Sequence, residues 1–165
     1  MNLKTIVLLA MALSVASVVT AQTKVSGTSR CAPPAPQQML PIGDQPGHAL
    51  TVAQSKCTWS EPIEIEGVKA KEGTSTSSDE VTGNSFTSRG YYVDTMANGD
   101  AAHYRFEATF SLKEGKPESG KNTWTLIGGT GKLKGLKGQG TCTGKADPDG
   151  SIVWKCAGEY KRSTS

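Results

Sequence analysis

Thr123-Trp124-Thr125-Leu126-Ile127-Gly128-Gly129-Thr130-Gly131-Lys132-Leu133-Lys134-Gly135-Leu136-Lys137-Gly138-Gln139-Gly140-Thr141-Cys142-Thr143 is the stretch that decides the fold. Each interior glycine would cost a helix roughly 1 kcal/mol, so this run is no helix. Its alternation is too regular for a linker. It reads as a strand, a tight glycine turn, and a second strand whose inward positions are often glycine. That pattern marks an antiparallel β-barrel and says little about chemistry.

Two hairpins extend the reading. Phe86 to Ala97 and Asp100 to Lys113 flank Asn98-Gly99, a pair that tolerates the positive φ of a type I′ turn. A two-residue turn there places Thr95 opposite Ala102, Val93 opposite Tyr104 and Tyr91 opposite Phe106. That face continues through Ala108, Phe110 and Leu112 and is assigned to the core. The other face carries Tyr92, Asp94, His103, Arg105 and Glu107 and is assigned to solvent. A register slip of one residue would invert the assignment. The last hairpin turns at Asp147-Pro148-Asp149-Gly150. Its register sets Cys142 opposite Cys156, Gly144 opposite Trp154, Gly140 opposite Gly158 and Gly138 opposite Tyr160. Aromatics laid over glycines fill such strands.

The chain contains four cysteines, Cys31, Cys57, Cys142 and Cys156, and none of their spacings is a C-x-x-C site. An even count in an exported chain indicates two disulfides. The hairpin register favours Cys142–Cys156, which leaves Cys31–Cys57. Residues 1–21 carry the marks of a signal peptide: Lys4, an apolar run from Ile6 to Val19, and a small-residue end at Val19-Thr20-Ala21. The rival reading is an uncleaved membrane anchor, but the apolar run is short for a span and holds Ser14 and Ser17, so cleavage is favoured and no integral membrane association is expected after it. Loss of Lys4 with the leader lowers the formal net charge from +3 to +2, which gives no electrostatic case for nucleic acid.

The rest of the chain divides as an extended Pro-rich arm over 22–48 and a barrel domain over 49–165. Pro33, Pro34, Pro36, Pro41 and Pro46 set the arm, which Cys31 staples to the barrel. Ala49 to Trp59 is a strand, with Leu50 and Val52 on one face and Ala53, Cys57 and Trp59 on the other. Ile63 to Ala70 is a second strand. Glu72 to Asn84 is small and polar and reads mostly as a loop, and Glu114 to Lys121 as a polar connection. Seven or eight strands result, with no convincing amphipathic helix, which points to an all-β barrel or sandwich.

The segment Trp124 to Thr143, above all Gly128-Gly129-Thr130-Gly131-Lys132, resembles the glycine-rich segment of allene oxide cyclase-like and dirigent-like barrels. With Cys57-Thr58-Trp59, Gly67-Val68-Lys69, Arg89-Gly90-Tyr91, Met96-Ala97-Asn98-Gly99-Asp100 and Gly158-Glu159-Tyr160, the fuller pattern looks like a family of small exported bacterial proteins of uncharacterised function. The resemblance covers most of Ala49 to Tyr160. It implies an antiparallel β-barrel of about eight strands, calycin or allene oxide cyclase-like, with a central cavity. Related families often assemble as oligomers, so a homo-oligomer is among the expectations.

The glycine run is not a phosphate loop. A Walker spacing needs glycine where Leu126 stands, and a dinucleotide fingerprint from Gly129 needs glycine where Lys134 stands. His48 and His103 lack metal-ligand spacing, and no cofactor or metal is expected. Tyr91, Val93, Tyr104, Phe106, Phe110 and Trp154 are the candidate cavity residues for a small hydrophobic ligand. Asp94, His103, Arg105 and Glu107 are catalytic candidates only if they face inward, because buried charges need partners. Three functions remain open. The first is a secreted or periplasmic, non-enzymatic module binding a small apolar or amphipathic molecule. The second is an isomerase or cyclase resembling allene oxide cyclase. The third is a structural or adhesive cell-envelope protein, with Lys132, Lys134 and Lys137 as a contact patch.

Overall fold

The computed structural model describes residues 22–163, so the proposed signal peptide lies outside the described residues. Ten strands account for nearly all of them: β1 (Thr23–Cys31), β2 (Gln37–Pro41), β3 (Ala49–Glu61), β4 (Glu64–Ile65), β5 (Val68–Thr82), β6 (Ser85–Met96), β7 (Ala101–Lys113), β8 (Lys116–Gly129), β9 (Leu136–Ala146) and β10 (Ile152–Arg162). A single 3-10 turn, Gly131–Leu133, links β8 to β9. The wall runs β3-β1-β10-β9-β8-β7-β6-β5 and closes where β5 pairs with β3, every pairing antiparallel. The fold is thus an eight-stranded closed barrel with two added strands, and closure leaves the wall itself without a free edge.

Residues 22–48 differ from the expected arm. Thr23–Cys31 is a wall strand that seals the barrel between β10 and β3. Beyond Cys31, β2 takes over the same edge of β3, pairing Gln37 with Ala53 and Pro41 with Ala49. The prolines break the strand between them without removing the residues on either side from the sheet. His48 fastens the β2–β3 loop, its ring nitrogens lying 2.6 Å from Asp44 and 3.1 Å from Glu80.

Three further segments depart from expectation. Glu72–Asn84 forms most of β5 and the following Gly83–Asn84 turn rather than a loop. Ile63–Ala70 is a tight hairpin of β4 with the start of β5 rather than one strand. Glu114–Lys121 is a two-residue turn and the first half of β8 rather than a connection, since Lys113 already pairs with Lys116.

The β6–β7 register is slipped by one residue from the expected one. Thr95 pairs with Ala101, Val93 with His103, Tyr92 with Tyr104 and Tyr91 with Arg105. The cause is the turn. Ala97, Asn98 and Gly99 form a three-residue loop, with the Gly99 N–H donating to the Met96 carbonyl at 3.0 Å and Gly99 at φ 86°. A glycine in the left-handed region closing a three-residue loop is the other common hairpin solution. The β9–β10 register is as expected, including Cys142 opposite Cys156, Gly144 opposite Trp154 and Gly138 opposite Tyr160. Both disulfides form at directly opposed positions, Cys142–Cys156 across β9–β10 and Cys31–Cys57 across β1–β3.

One end of the barrel is a packed apolar core. Ile63, Ile65, Val68, Met96, Leu126, Leu133 and Leu136 are buried there, with Tyr160 across them. Each such side chain contributes roughly 1.5–3 kcal/mol relative to exposure. The Tyr160 hydroxyl accepts the Glu66 N–H at 3.0 Å and ties the β4–β5 turn over this end. The other end stays open, and this asymmetry positions the site.

Candidate functional site

Beyond the packed end, the barrel interior is a cavity of about 500 Å³. It reaches solvent past Pro34, Met39, Gly115, Pro117 and Gly150. The volume lies in the range of small-molecule sites. Strand alternation decides its lining. The slipped register turns Tyr92 and Asp94 of β6 inward, beside Tyr104, Phe106 and Phe110 of β7. From β8 come Asn122 and Trp124, from β3 Thr51 and Trp59, from β5 Ser75, Ser77 and Asp79, and from β10 Trp154.

Room for the rings comes from glycine on the facing strands. Gly140 and Gly158 are paired, and Trp124 lies across both. A Cβ at either would run into the Trp124 indole and into a carbonyl oxygen, of Ala157 or Gln139. The aromatic covering this pair therefore arrives from β8, next to β9, rather than from the hairpin itself.

Two aromatic groups result. Near the packed end, Tyr92 and Tyr104 stand 6.0 Å apart, and Tyr104 meets Trp124 edge-on at 5.6 Å. Towards the mouth, Phe86 stacks on Phe110 at 4.4 Å and Phe110 meets Trp154 edge-on at 5.3 Å. Such geometries follow from the ring quadrupoles.

Asp94 is the electrostatic centre. It is 1% exposed, and its Oδ1 accepts the Trp59 indole N–H at 2.7 Å. Burial pushes its carboxyl up to about 7, against the opposing pull of the Trp59 hydrogen bond and of the Tyr92 phenol, which lies close without well-formed hydrogen-bond geometry. Burial, with the neighbouring Asp94 charge, also raises both the Tyr92 and the Tyr104 phenol well above the usual range. Asp94 therefore exchanges its proton near neutrality while the phenols keep theirs.

Among the described residues, seven buried side-chain polar atoms have no hydrogen-bond partner: Thr51 Oγ1, Asp79 Oδ1, Tyr92 Oη, Asp94 Oδ2, Tyr104 Oη, Asn122 Oδ1 and Trp124 Nε1. All seven belong to residues lining this one cavity. Buried polar groups in folded proteins are nearly always paired, and each orphan costs about 1–3 kcal/mol. Their concentration in one hollow is the signature of a site rather than of a filled core.

Of the sequence-derived candidates, Tyr104, Phe106, Phe110 and Trp154 line the cavity. Tyr91 and Val93 do not; they are 58% and 40% exposed on the outer wall, because the slipped register reverses β6. Asp94 faces inward, whereas His103, Arg105 and Glu107 lie on the outer face of β7 and do not join it. His103 and Asp94 therefore lie on opposite sides of the wall. Sequence reasoning missed Tyr92, Trp59, Asp79, Asn122 and Trp124. The available signals were Trp59 on the Cys57 face of its strand and the alternation of Ser75, Ser77 and Asp79. Among the described residues no three metal-ligating side chains gather, and the cysteines are all bonded in pairs.

Fold and site together define a class: a hollow, closed antiparallel barrel of the dirigent-like type, with polar groups set into an aromatic interior. Among solved structures, the pterocarpan synthase dirigent protein GePTS1 matches with a TM-score of 0.50 at 11% identity, covering 94% of this chain and 98% of that one. At this identity the likeness is one of fold. No protein-family model matches the chain. The comparison with curated proteins gives no match.

Proposed function

We propose that this protein is an exported module that takes up one small, largely apolar molecule bearing hydrogen-bonding groups into the barrel interior. The observation carrying the reading is that seven unpartnered buried polar atoms among the described residues all belong to side chains lining one hollow of about 500 Å³. A core selected only for stability pairs or omits such groups. Two disulfides favour an oxidising compartment, secreted or periplasmic.

The test is uptake of a neutral apolar fluorophore, N-phenyl-1-naphthylamine, together with native mass spectrometry. Binding with a blue-shifted emission is expected. Ala108→Trp, which fills the cavity from β7, should abolish it. A barrel that takes up neither this probe nor any small molecule would sink the proposal.

A second reading, an isomerase or cyclase, is favoured by one observation: Asp94 is a buried acid able to give up or take a proton near neutral pH. With His103, Arg105 and Glu107 outside, Asp94 carries that reading with Tyr92 and Tyr104 beside it. The structural neighbour is named a synthase, so a barrel of this shape is compatible with chemistry. Conversion of a captured molecule by the wild type but not by Asp94→Asn, followed as a change in mass or retention, would support it.

A further inference from the structure

We propose that the cavity selects small organic cations, protonated aryl- or alkylamines, with the ammonium seated on the Asp94 carboxylate and the hydrocarbon part against the Tyr92, Tyr104 and Trp124 rings. This rests on the uptake reading above and adds the charge and class of the ligand.

The first support is the sign of the lining. The whole chain has 18 lysines and arginines against 15 acids. Among the described residues, none of its lysines, arginines or histidines lines the cavity, while two aspartates, Asp79 and Asp94, do. An anion entering would meet carboxyl groups and no compensating cation. The second is the state of Asp94. Oδ1 is held by Trp59 at 2.7 Å, and Oδ2 is buried without a partner on a side chain that is 1% exposed and belongs to the cavity lining. An ammonium is a three-fold donor, and ion-paired hydrogen bonds are the strong ones. The third is the company it keeps. Tyr92, Tyr104 and Trp124 form a continuous aromatic wall next to the carboxyl, and cations are attracted to such ring faces, most strongly when desolvated.

Binding has a proton balance that can be read out. The empty site holds Asp94 protonated up to about pH 7. Seating an ammonium there makes the carboxylate the favoured form, so the Asp94 proton passes to buffer while the amine keeps its own. The groups facing Asp94 are Trp59 from β3, Tyr92 on its own strand and Tyr104 from β7, with Gly73 of β5 across the pair. None of them titrates in this range, so the proton count belongs to Asp94.

The test is calorimetry of the full oxidised protein with 2-phenylethylamine, 2-phenylethanol and phenylacetate, which share a ring and differ in charge. At pH 8 the amine should bind about tenfold or more tightly than the alcohol, and phenylacetate should bind more weakly than the alcohol. Lowering pH to 5.5 should weaken the amine by up to about thirtyfold, with close to one proton released per amine bound, read from the dependence of the heat on buffer ionisation. Asp94→Asn should lose the amine preference and the proton release, and Asp94→Glu should keep both in part. Equal or better binding of the alcohol or phenylacetate, or amine binding without proton release at pH 5.5, overturns the inference. Should N-phenyl-1-naphthylamine enter while the amine shows no advantage, only this inference falls; should nothing enter, the uptake reading falls with it. The wild-type series and its proton count decide the matter even if the variants do not fold.

Discussion

Replacing Asp94 with asparagine should stabilise the protein at alkaline pH and leave it nearly unchanged in acid. The folded carboxyl sits at about 7, against an ordinary aspartate value of 3.8. Below about pH 4 both folded and unfolded chains hold the proton, so the group adds no pH dependence. Between about 4 and 7 the unfolded chain ionises and the folded one does not. Above about 7 the folded state must carry a buried negative charge. The gap is worth roughly 4 kcal/mol, lost from stability progressively from about pH 4 and fully once pH has risen through the folded value. Because the side chain is almost wholly buried, solvent screening reduces this little. Asparagine has nearly the same shape, and its carbonyl oxygen can still accept the Trp59 N–H. Urea unfolding at pH 4 to 8, with disulfides intact and followed by tryptophan fluorescence, checks it. The difference between variant and wild type isolates Asp94 from other titrating groups such as His48, whose proton affinity its Asp44 and Glu80 partners raise. The difference should be near zero at pH 4 and grow to about 3–4 kcal/mol in favour of the variant at pH 8. A difference that stays flat, or turns against the variant at pH 8, would refute the account of a carboxyl held neutral by burial.

Trp59→Phe removes the indole N–H that donates to the Asp94 carboxylate, so the Asp94 proton affinity should rise further; carboxyl-carbon NMR titration reads this, and a fall would contradict it. Gly158→Ala drives a methyl into the Trp124 indole and the Gln139 carbonyl and should cost roughly 1–3 kcal/mol in denaturant unfolding, with weakened probe uptake as the ring shifts into the hollow. Removing Cys31–Cys57 by double serine substitution should cost roughly 3–4 kcal/mol on the chain-entropy model, since 26 residues separate the pair. Tyr91→Ser should leave fluorophore uptake unaltered, whereas Tyr92→Phe should change it; the opposite outcome would restore the unslipped register.

Much of the barrel could be read from residues that carry two constraints at once. In β9–β10 the cysteines, the glycine–aromatic pairs and the Asp147–Gly150 turn all specify one register, and the structure has it. β7 was legible because Tyr104, Phe106, Ala108 and Phe110 alternate cleanly with polar residues. β6 lacked such a check. Tyr91, Tyr92 and Val93 are apolar on both faces, so the turn alone chose the register, and a three-residue loop looks like a two-residue one in sequence. β5 was obscured for a structural reason. Its inward positions Ser75, Ser77 and Asp79 wall a hollow rather than a core, so the usual apolar stripe is missing where the site is. Asp94 was visible as a candidate, but its isolation from His103, Arg105 and Glu107 depended on that one-residue slip.

The strand that seals the barrel, β1, pairs with β10 on one side and with β3 on the other. Thr23 thus waits for Tyr160 before the tube can exist. Such distant pairing slows assembly, because the entropy of closing a long chain loop comes before the contacts that repay it. Until β10 is made, the wall has no partner for one margin of β1, and an unpaired strand edge is prone to stick to its neighbours. The architecture therefore postpones closure of the wall until both the first and the last strand are in place.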